Sequence, residues 1–295
     1  MSFTKITFKN KLNGFIAISR PKQWIKNLFV FAALIFSKSF SNYTLVYKTV
    51  LVFLSFCVAS SLVYSINDLL DADKDRKHPK KRNRPIAKGT ITKKEALFLI
   101  AVLFISLVLI LLTYRSAVSL VLIAYLANNI LYSFKIKHVV ILDIMSIALG
   151  FLLRVIAGAV AINVSVSPWI LLCTLLLSLF LGFSKRRNEL LLLGDGAEKH
   201  RKILEEYSVE FIDSMLSIVT ACTVMAYSLY TFFAYSNKFM MLTIPFVLYG
   251  IFRYQYLIHK KGEGGSPEEI VISDKPLLLS IVLWVICSAC IVYLI

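Results

Sequence analysis

The chain has 295 residues, 58% of them hydrophobic, with a mean hydropathy of +0.74 and a formal charge of +16. This apolar content excludes an ordinary soluble domain, whose surface requires more polar residues. It also turns the basic excess away from nucleic acid and toward a bilayer surface, where lysine and arginine fix topology and meet anionic lipid or phosphate.

A helix crosses the hydrocarbon core with about 20 apolar residues, and about nine stretches qualify. In chain order they cover 23–41, 45–66, 95–113, 116–134, 139–161, 168–184, 211–235, 239–258 and 277–294. The expected fold class is therefore all-α, a polytopic transmembrane helical bundle of about nine helices. Because the spans share one interior, residues 1–295 are expected to form a single domain. Trp24 and Trp169 begin the first and sixth stretches and suit interfacial anchoring. The N-terminal MSFTKITFKNKLNGF lacks a secretory apolar region with a cleavage site, so no processing is expected. Cys57, Cys173, Cys222, Cys287 and Cys290 lie in apolar runs without metal-ligand spacing and read as packing residues.

Most lysines and arginines precede the first stretch, follow the second, fourth and sixth, or lie around the loop after the eighth. The opposite side receives only Lys38, Lys48, Arg115 and Lys238. The positive-inside rule then puts the N-terminus and the large loops in the cytoplasm and the C-terminus outside, in the inner (plasma) membrane.

The second stretch leads into Asn67, Asp68, Asp71 and Asp75. At helical spacing Asn67, Asp71 and Asp75 drift along one face, with Asp68 on the adjoining one. Carboxylates packed together repel unless a cation neutralises them. Oxygen donors without His or Cys suit Mg²⁺, which prefers one or two carboxylates together with substrate phosphates. A carboxylate run at a helix C-terminus opposes the macrodipole, which argues against incidental charge decoration. Next come Arg76, Lys77, His78, Pro79, Lys80, Lys81, Arg82, Asn83, Arg84, Pro85 and Gly89, whose prolines and glycine break the helix. A basic loop folded beside acids is a phosphate-binding arrangement, since guanidinium forks match phosphate oxygens. His78 reads as a hydrogen-bond donor or bystander rather than a catalyst.

In the fifth stretch Asp143 and Arg154 stand in otherwise apolar sequence, on nearly the same face and about 16 Å apart in depth. Asp143 is positioned to support the polar end. Arg154 is either functional or a structural charge satisfied by carbonyls inside the bundle.

These segments resemble the UbiA superfamily of membrane-embedded transferases, whose first signature, NDxxDxxxD, is matched by Asn67, Asp68, Asp71 and Asp75. The most similar branch is that of the decaprenyl-phosphate phosphoribosyltransferases. The likeness to it rests on Arg20 to Asn27, on Asp75-Arg76, His78-Pro79 and Lys81 to Ala87, and on Tyr132-Ser133 with Lys137. It continues through Gly150 to Arg154 with Gly158 and Ser184-Lys185-Arg186 with Glu189, and more weakly to Tyr207. Prenyltransferases of the superfamily carry a second Asp-rich motif after the sixth span. Here that place reads Ser184-Lys185-Arg186-Arg187-Asn188-Glu189, and the later Asp195, Glu198, Glu205 and Glu206 lack its spacing.

The resemblance implies phosphoribosyl diphosphate as donor and a polyprenyl phosphate (decaprenyl or undecaprenyl) as acceptor. The product would be a polyprenyl-phosphoryl-5-phosphoribose for cell-envelope glycan synthesis. It implies a catalytic Mg²⁺ site of Asn67, Asp68, Asp71 and Asp75. Substrate would be bound by Lys26, Asn27, Arg76, Lys81, Arg82, Arg84, Tyr132, Lys137, Lys185, Arg186 and Glu189, with Asp143 and Arg154 as support. The alternatives are a UbiA-type prenyltransferase acting on an aromatic acceptor and, more remotely, a transporter. The missing second Asp motif argues against the first. The odd span number, without an evident repeat, argues against the second.

Overall fold

The computed structural model describes residues 8–77, 81–114, 117–193, 202–234, 238–262 and 264–294, and among these every regular element is helical. His78, Pro79, Lys80, Arg115, Asp195 and Glu198 lie outside the described residues.

The chain opens with α1 (Phe8–Ser19) and a 3₁₀ segment (Pro21–Phe31) that runs directly into α2 (Ala32–Phe36). Then follow α3 (Tyr43–Leu70), the one-turn helices α4 (Ala72–Asp75) and α5 (Pro85–Lys88), α6 (Lys93–Tyr114), α7 (Ala117–Phe134) and α8 (Leu142–Ala161). The second half contains α9 (Pro168–Leu193), α10 (Val209–Phe233), α11 (Ile244–Lys261), the short α12 (Pro267–Ser273) and α13 (Lys275–Leu294). Among the described residues, eight helices are long and apolar enough to cross a membrane. The protein is a multi-pass membrane protein.

The first expected crossing takes a different form from the rest. Its 11 residues of 3₁₀ helix and 5 of α-helix extend about 30 Å at about 2.0 and 1.5 Å per residue. That matches the hydrocarbon thickness, so a tightly wound helix covers the distance in fewer residues than an α-helix would need. Its far end reaches the opposite side of the bundle, where Phe36 meets Tyr230 and Trp284 edge-on or tilted.

Local sequence explains the helix starts. Asn42 caps α3 by accepting from the Thr44 and Leu45 amides. Thr92 and Glu95 form a reciprocal capping box at the start of α6. Ser208 caps α10 through the Phe211 amide. α6 is apolar all round and buries little beyond Ala96 and Leu107, leaving Phe98, Phe104 and Leu112 facing outward, as lipid contact demands.

Two apolar cores meet along α8. Ile144 joins Phe180, Phe183, Leu216 and Leu257 in one, while Ala157 joins Val52, Phe56, Leu107 and Leu122 in the other. Between α8 and the 3₁₀ segment the backbones touch. A Cβ on Gly158 would stand 1.9 Å from the Val30 carbonyl oxygen. Only glycine permits that approach.

The sixth span was expected to end at 184, but α9 continues to Leu193. Lys185, Arg186 and Glu189 therefore sit on the helix rather than in a loop, with orientations fixed by the helix and its neighbours.

Candidate active site

The acidic signature is at the end of α3. Asp68 is 2% exposed in the last turn, Asp71 forms the joint to α4, and Asp75 is buried at the end of α4. The Asp75 amide still donates to the Asp71 carbonyl at 2.8 Å, so the backbone continues helically across the joint.

Cations from three segments meet these carboxylates. Arg84 Nη1 is 3.0 Å from Asp68 Oδ1 and 2.6 Å from Asp75 Oδ2. Arg20 pairs with Asp68 and lies over the Tyr64 ring with 4.9 Å to its centroid. Lys137 Nζ stands 4.0 Å from Asp71 Oδ1. Asp68 and Asp75 thus converge on one guanidinium nitrogen. Oxygen donors brought to a single positive centre fit a hard divalent cation completed by substrate oxygens and water. Asn67 precedes Asp68 in the same turn of α3. No tight trio of His, Cys, Asp or Glu is preassembled among the described residues.

The 3₁₀ segment organises the opposite wall. In such a helix side chains three apart eclipse, so Gln23 and Lys26 share one row, which Arg20 extends from the N-cap position. Arg20 reaches Asp68, while Gln23 donates to Glu268 on α12. Lys26 donates to Gln23 Oε1 at 2.5 Å and stands 3.2 Å from Glu268 Oε2. Burial alone would raise the Glu268 pKa. The Lys26 charge and hydrogen bonds from its own backbone amide and from Gln23 outweigh that and hold it below the ordinary value. Lys185, partly buried on α9, feels both Lys26 and Glu189 electrostatically.

Arg186 lies deeper, at 1% exposure. Its Nε donates to Asp143 Oδ2 at 2.6 Å, Nη1 to Glu189, and Nη2 to the Tyr132 hydroxyl at 3.3 Å. Tyr207 donates to Asp143 Oδ1 at 2.8 Å and accepts from the Ile141 amide at 2.7 Å. Burial, together with the bond to Asp143, raises the phenol pKa well above its usual range. The Asp143, Tyr132, Arg186 and Glu189 positions therefore form one network that ties α7, α8 and α9 to the segment before α10.

Asn27 and Arg154 come together away from the row. Arg154 donates to Asn27 Oδ1 at 2.8 Å, the Gly150 carbonyl at 2.8 Å and the Tyr125 hydroxyl at 3.0 Å. It also lies over the rings of Tyr125, Phe151 and Phe56. This deep charge is satisfied by neutral oxygens and aromatic faces. Asn27 is buried against it and donates onward to Cys57 Sγ.

In the basic loop, Arg76 donates to the Ala87 carbonyl at 3.2 Å and to Asp73 at 2.7 Å, which ties the loop to α4. Lys81 and Arg82 lie exposed on a 3₁₀ turn, Lys81–Asn83. Sequence reasoning did not single out Arg20, Gln23 or Glu268 as site residues. The threefold spacing of 20, 23 and 26 was a visible signal for the first two, whereas nothing local marked Glu268.

A membrane-embedded helical bundle with an acidic cluster facing a cationic row at one end defines an intramembrane transferase. The chain belongs to the UbiA prenyltransferase family, whose model matches residues 27–267. It is 34% identical to the decaprenyl-phosphate phosphoribosyltransferase of Corynebacterium glutamicum, over 97% of this chain and 89% of that protein. The same-named protein of Mycolicibacterium smegmatis is also 34% identical, over 94% of this chain and 92% of its own. Among solved structures, a UbiA homolog from Archaeoglobus fulgidus bound to GPP and Mg²⁺ superposes with a TM-score of 0.72. That alignment covers 96% of this chain and 100% of that one at 20% identity, a likeness of fold.

Proposed function

We propose that this transferase moves 5-phosphoribosyl from phosphoribosyl diphosphate to a polyprenyl phosphate, at a site facing the cytoplasm in the inner membrane. The observation that carries the reading is the make-up of the second wall. Lys185 stands on the α9 segment where prenyltransferases of the superfamily carry their second set of carboxylates, and it faces the Lys26 charge there. The 34% identity to phosphoribosyltransferases across nearly the whole chain supports the same reading. Residues 1–295 are read as one domain, in keeping with an α8 that contributes to both cores.

Asn67, Asp68, Asp71 and Asp75 would hold Mg²⁺, which when bound would neutralise charge on a leaving diphosphate. Arg20 and Arg84 exchange carboxylate partners for phosphate oxygens as the donor enters. Lys26 and Lys185 hold the donor's remaining anionic oxygens, with Lys137, Arg82 and Lys81 at the rim. An oxygen of the acceptor phosphate forms the new bond to ribose C1 as the bond from C1 to the diphosphate oxygen breaks, its electron pair leaving with diphosphate. The acceptor is already anionic, so no side chain has to remove a proton. The work of the protein is positioning and charge stabilisation. Arg186, held by Asp143 and Tyr132, fixes the face of α9 that presents Lys185.

Diphosphate release tests this. Purified protein with a short-chain polyprenyl phosphate and Mg²⁺ is expected to release diphosphate from phosphoribosyl diphosphate, and Asp68→Ala or Asp71→Ala to abolish release while the protein remains inserted. Release instead from a prenyl diphosphate with an aromatic acceptor would favour prenyl transfer.

A further inference from the structure

Among the described residues, Glu268 is the one acid of the second wall that neither holds the acidic signature's cations nor belongs to the Arg186 network. It is 6% exposed on α12, in the connection between α11 and α13. The preceding loop is clamped on the end of α9. Asn188 Nδ2 donates to the Gly262 carbonyl at 2.6 Å. A Cβ on Gly264, whose φ is 136°, would meet the Ser184 carbonyl oxygen at 3.1 Å, and one on Gly265 would meet Asn188 Oδ1 at 2.5 Å. These close fits bring the start of α12 against α9 and the 3₁₀ row.

Glu268 Oε1 accepts from Gln23, but Oε2 accepts no hydrogen bond and only stands 3.2 Å from the Lys26 ammonium. A buried carboxylate oxygen without a hydrogen-bond donor is costly unless a ligand supplies one. The phosphates of a sugar diphosphate are acceptors and repel it. The only O–H donors on such a molecule's pentose are its ring hydroxyls, and a carboxylate is an acceptor-only group suited to them. The row also gives a suitable offset. Gln23 and Lys26 lie about 6 and 12 Å along the 3₁₀ axis from Arg20, which pairs with Asp68. A group held there sits to one side of a diphosphate at the acidic cluster.

We infer that Glu268 accepts hydrogen bonds from the ribose hydroxyls of the donor and thereby selects a hydroxylated sugar diphosphate over a prenyl diphosphate. This rests on the phosphoribosyl-transfer reading above and names the residue that makes the distinction. A prenyl diphosphate offers no hydroxyl and leaves Oε2 of the buried carboxylate without a hydrogen-bond donor. Sites built around such a hydrogen bond strongly reject the analogue that lacks it.

The test is equilibrium binding in detergent with Mg²⁺, comparing inorganic diphosphate with phosphoribosyl diphosphate on wild type, Glu268→Gln and Glu268→Ala. The wild type is expected to bind phosphoribosyl diphosphate the more tightly. Glu268→Ala is expected to lose at least tenfold for that ligand while its affinity for diphosphate stays within twofold, which also reports an intact fold. Glu268→Gln keeps one acceptor oxygen and is expected to fall between. Equal losses for both ligands in both variants would make Glu268 a mere orienter of Lys26 and overturn this inference alone. A wild type indifferent to the ribosyl group would overturn it together with the functional reading.

Discussion

Arg20 reaches Asp68 from a left-handed backbone position, with φ 49° and ψ 60° at the start of the 3₁₀ segment. Non-glycine residues are held there only when the surroundings enforce it, at a cost of about 1–3 kcal/mol. The ion pair with Asp68 and the Tyr64 ring provide that restraint. In the absence of donor Arg20 and a divalent cation compete for the same carboxylate. Arg20→Gln is therefore expected to tighten divalent-ion binding to the donor-free protein severalfold and to weaken donor binding by tenfold or more. Calorimetric titrations with metal alone and then with donor check both signs.

The contact between Gly158 and Val30 predicts a packing defect. Gly158→Ala puts a methyl where the Val30 carbonyl oxygen stands. The 3₁₀ segment must retreat from α8, at a cost in the range of about 1–3 kcal/mol or more for overpacking. Thermal unfolding in detergent is expected to drop by several degrees. Donor KM is expected to rise, because Arg20, Gln23 and Lys26 move with the segment.

The buried pair of Arg186 and Asp143 predicts strong coupling. Removing Arg186 alone strands the buried Asp143 carboxylate, so Arg186→Met is expected to lose about 3–5 kcal/mol, whereas Asp143→Asn leaves Arg186 its pair with Glu189 and is expected to lose less. The double variant strands neither charge, so its loss is expected to fall well short of the sum. Chemical denaturation of the four proteins measures this.

Glu268 sets an acid-dependent term. Its pKa in the folded protein lies below the ordinary 4.5. The stabilisation it brings is therefore fully present above that value and is lost as pH falls through the lowered pKa. The difference in melting temperature between wild type and Glu268→Gln is expected to be constant from neutral pH to about pH 5 and to shrink in more acidic buffer. A difference that grows on acidification contradicts the assignment.

The spans and the acidic end were legible because both are local. Hydropathy reports length in the bilayer, and the spacing of Asn67, Asp68, Asp71 and Asp75 maps directly onto one helix end. The spacing of Arg20, Gln23 and Lys26 is visible in the sequence, but in an α-helix positions three apart drift by about 60° at each step, and only 3₁₀ winding lines Gln23 up with Lys26. Glu268 was illegible for a different reason. Its partner Gln23 lies 245 residues earlier, and only the packing of the α11–α12 loop on α9 brings the two together. Arg186 and Asn27 carry the residue types that phosphate binding calls for. Yet neighbouring helices direct the first to Asp143 and the second to Arg154, and such partners arise only in three dimensions.

The central claim is tested most directly by the fate of the ribose carbon skeleton. Membranes bearing the protein are incubated with Mg²⁺, a polyprenyl phosphate and phosphoribosyl diphosphate labelled in the ribose, and then extracted with chloroform. The label is expected in the organic phase, in an acid-labile lipid absent from membranes bearing Asp68→Ala. Label that stays in the aqueous phase, while the same membranes attach a labelled prenyl chain to an aromatic acceptor, would contradict the account.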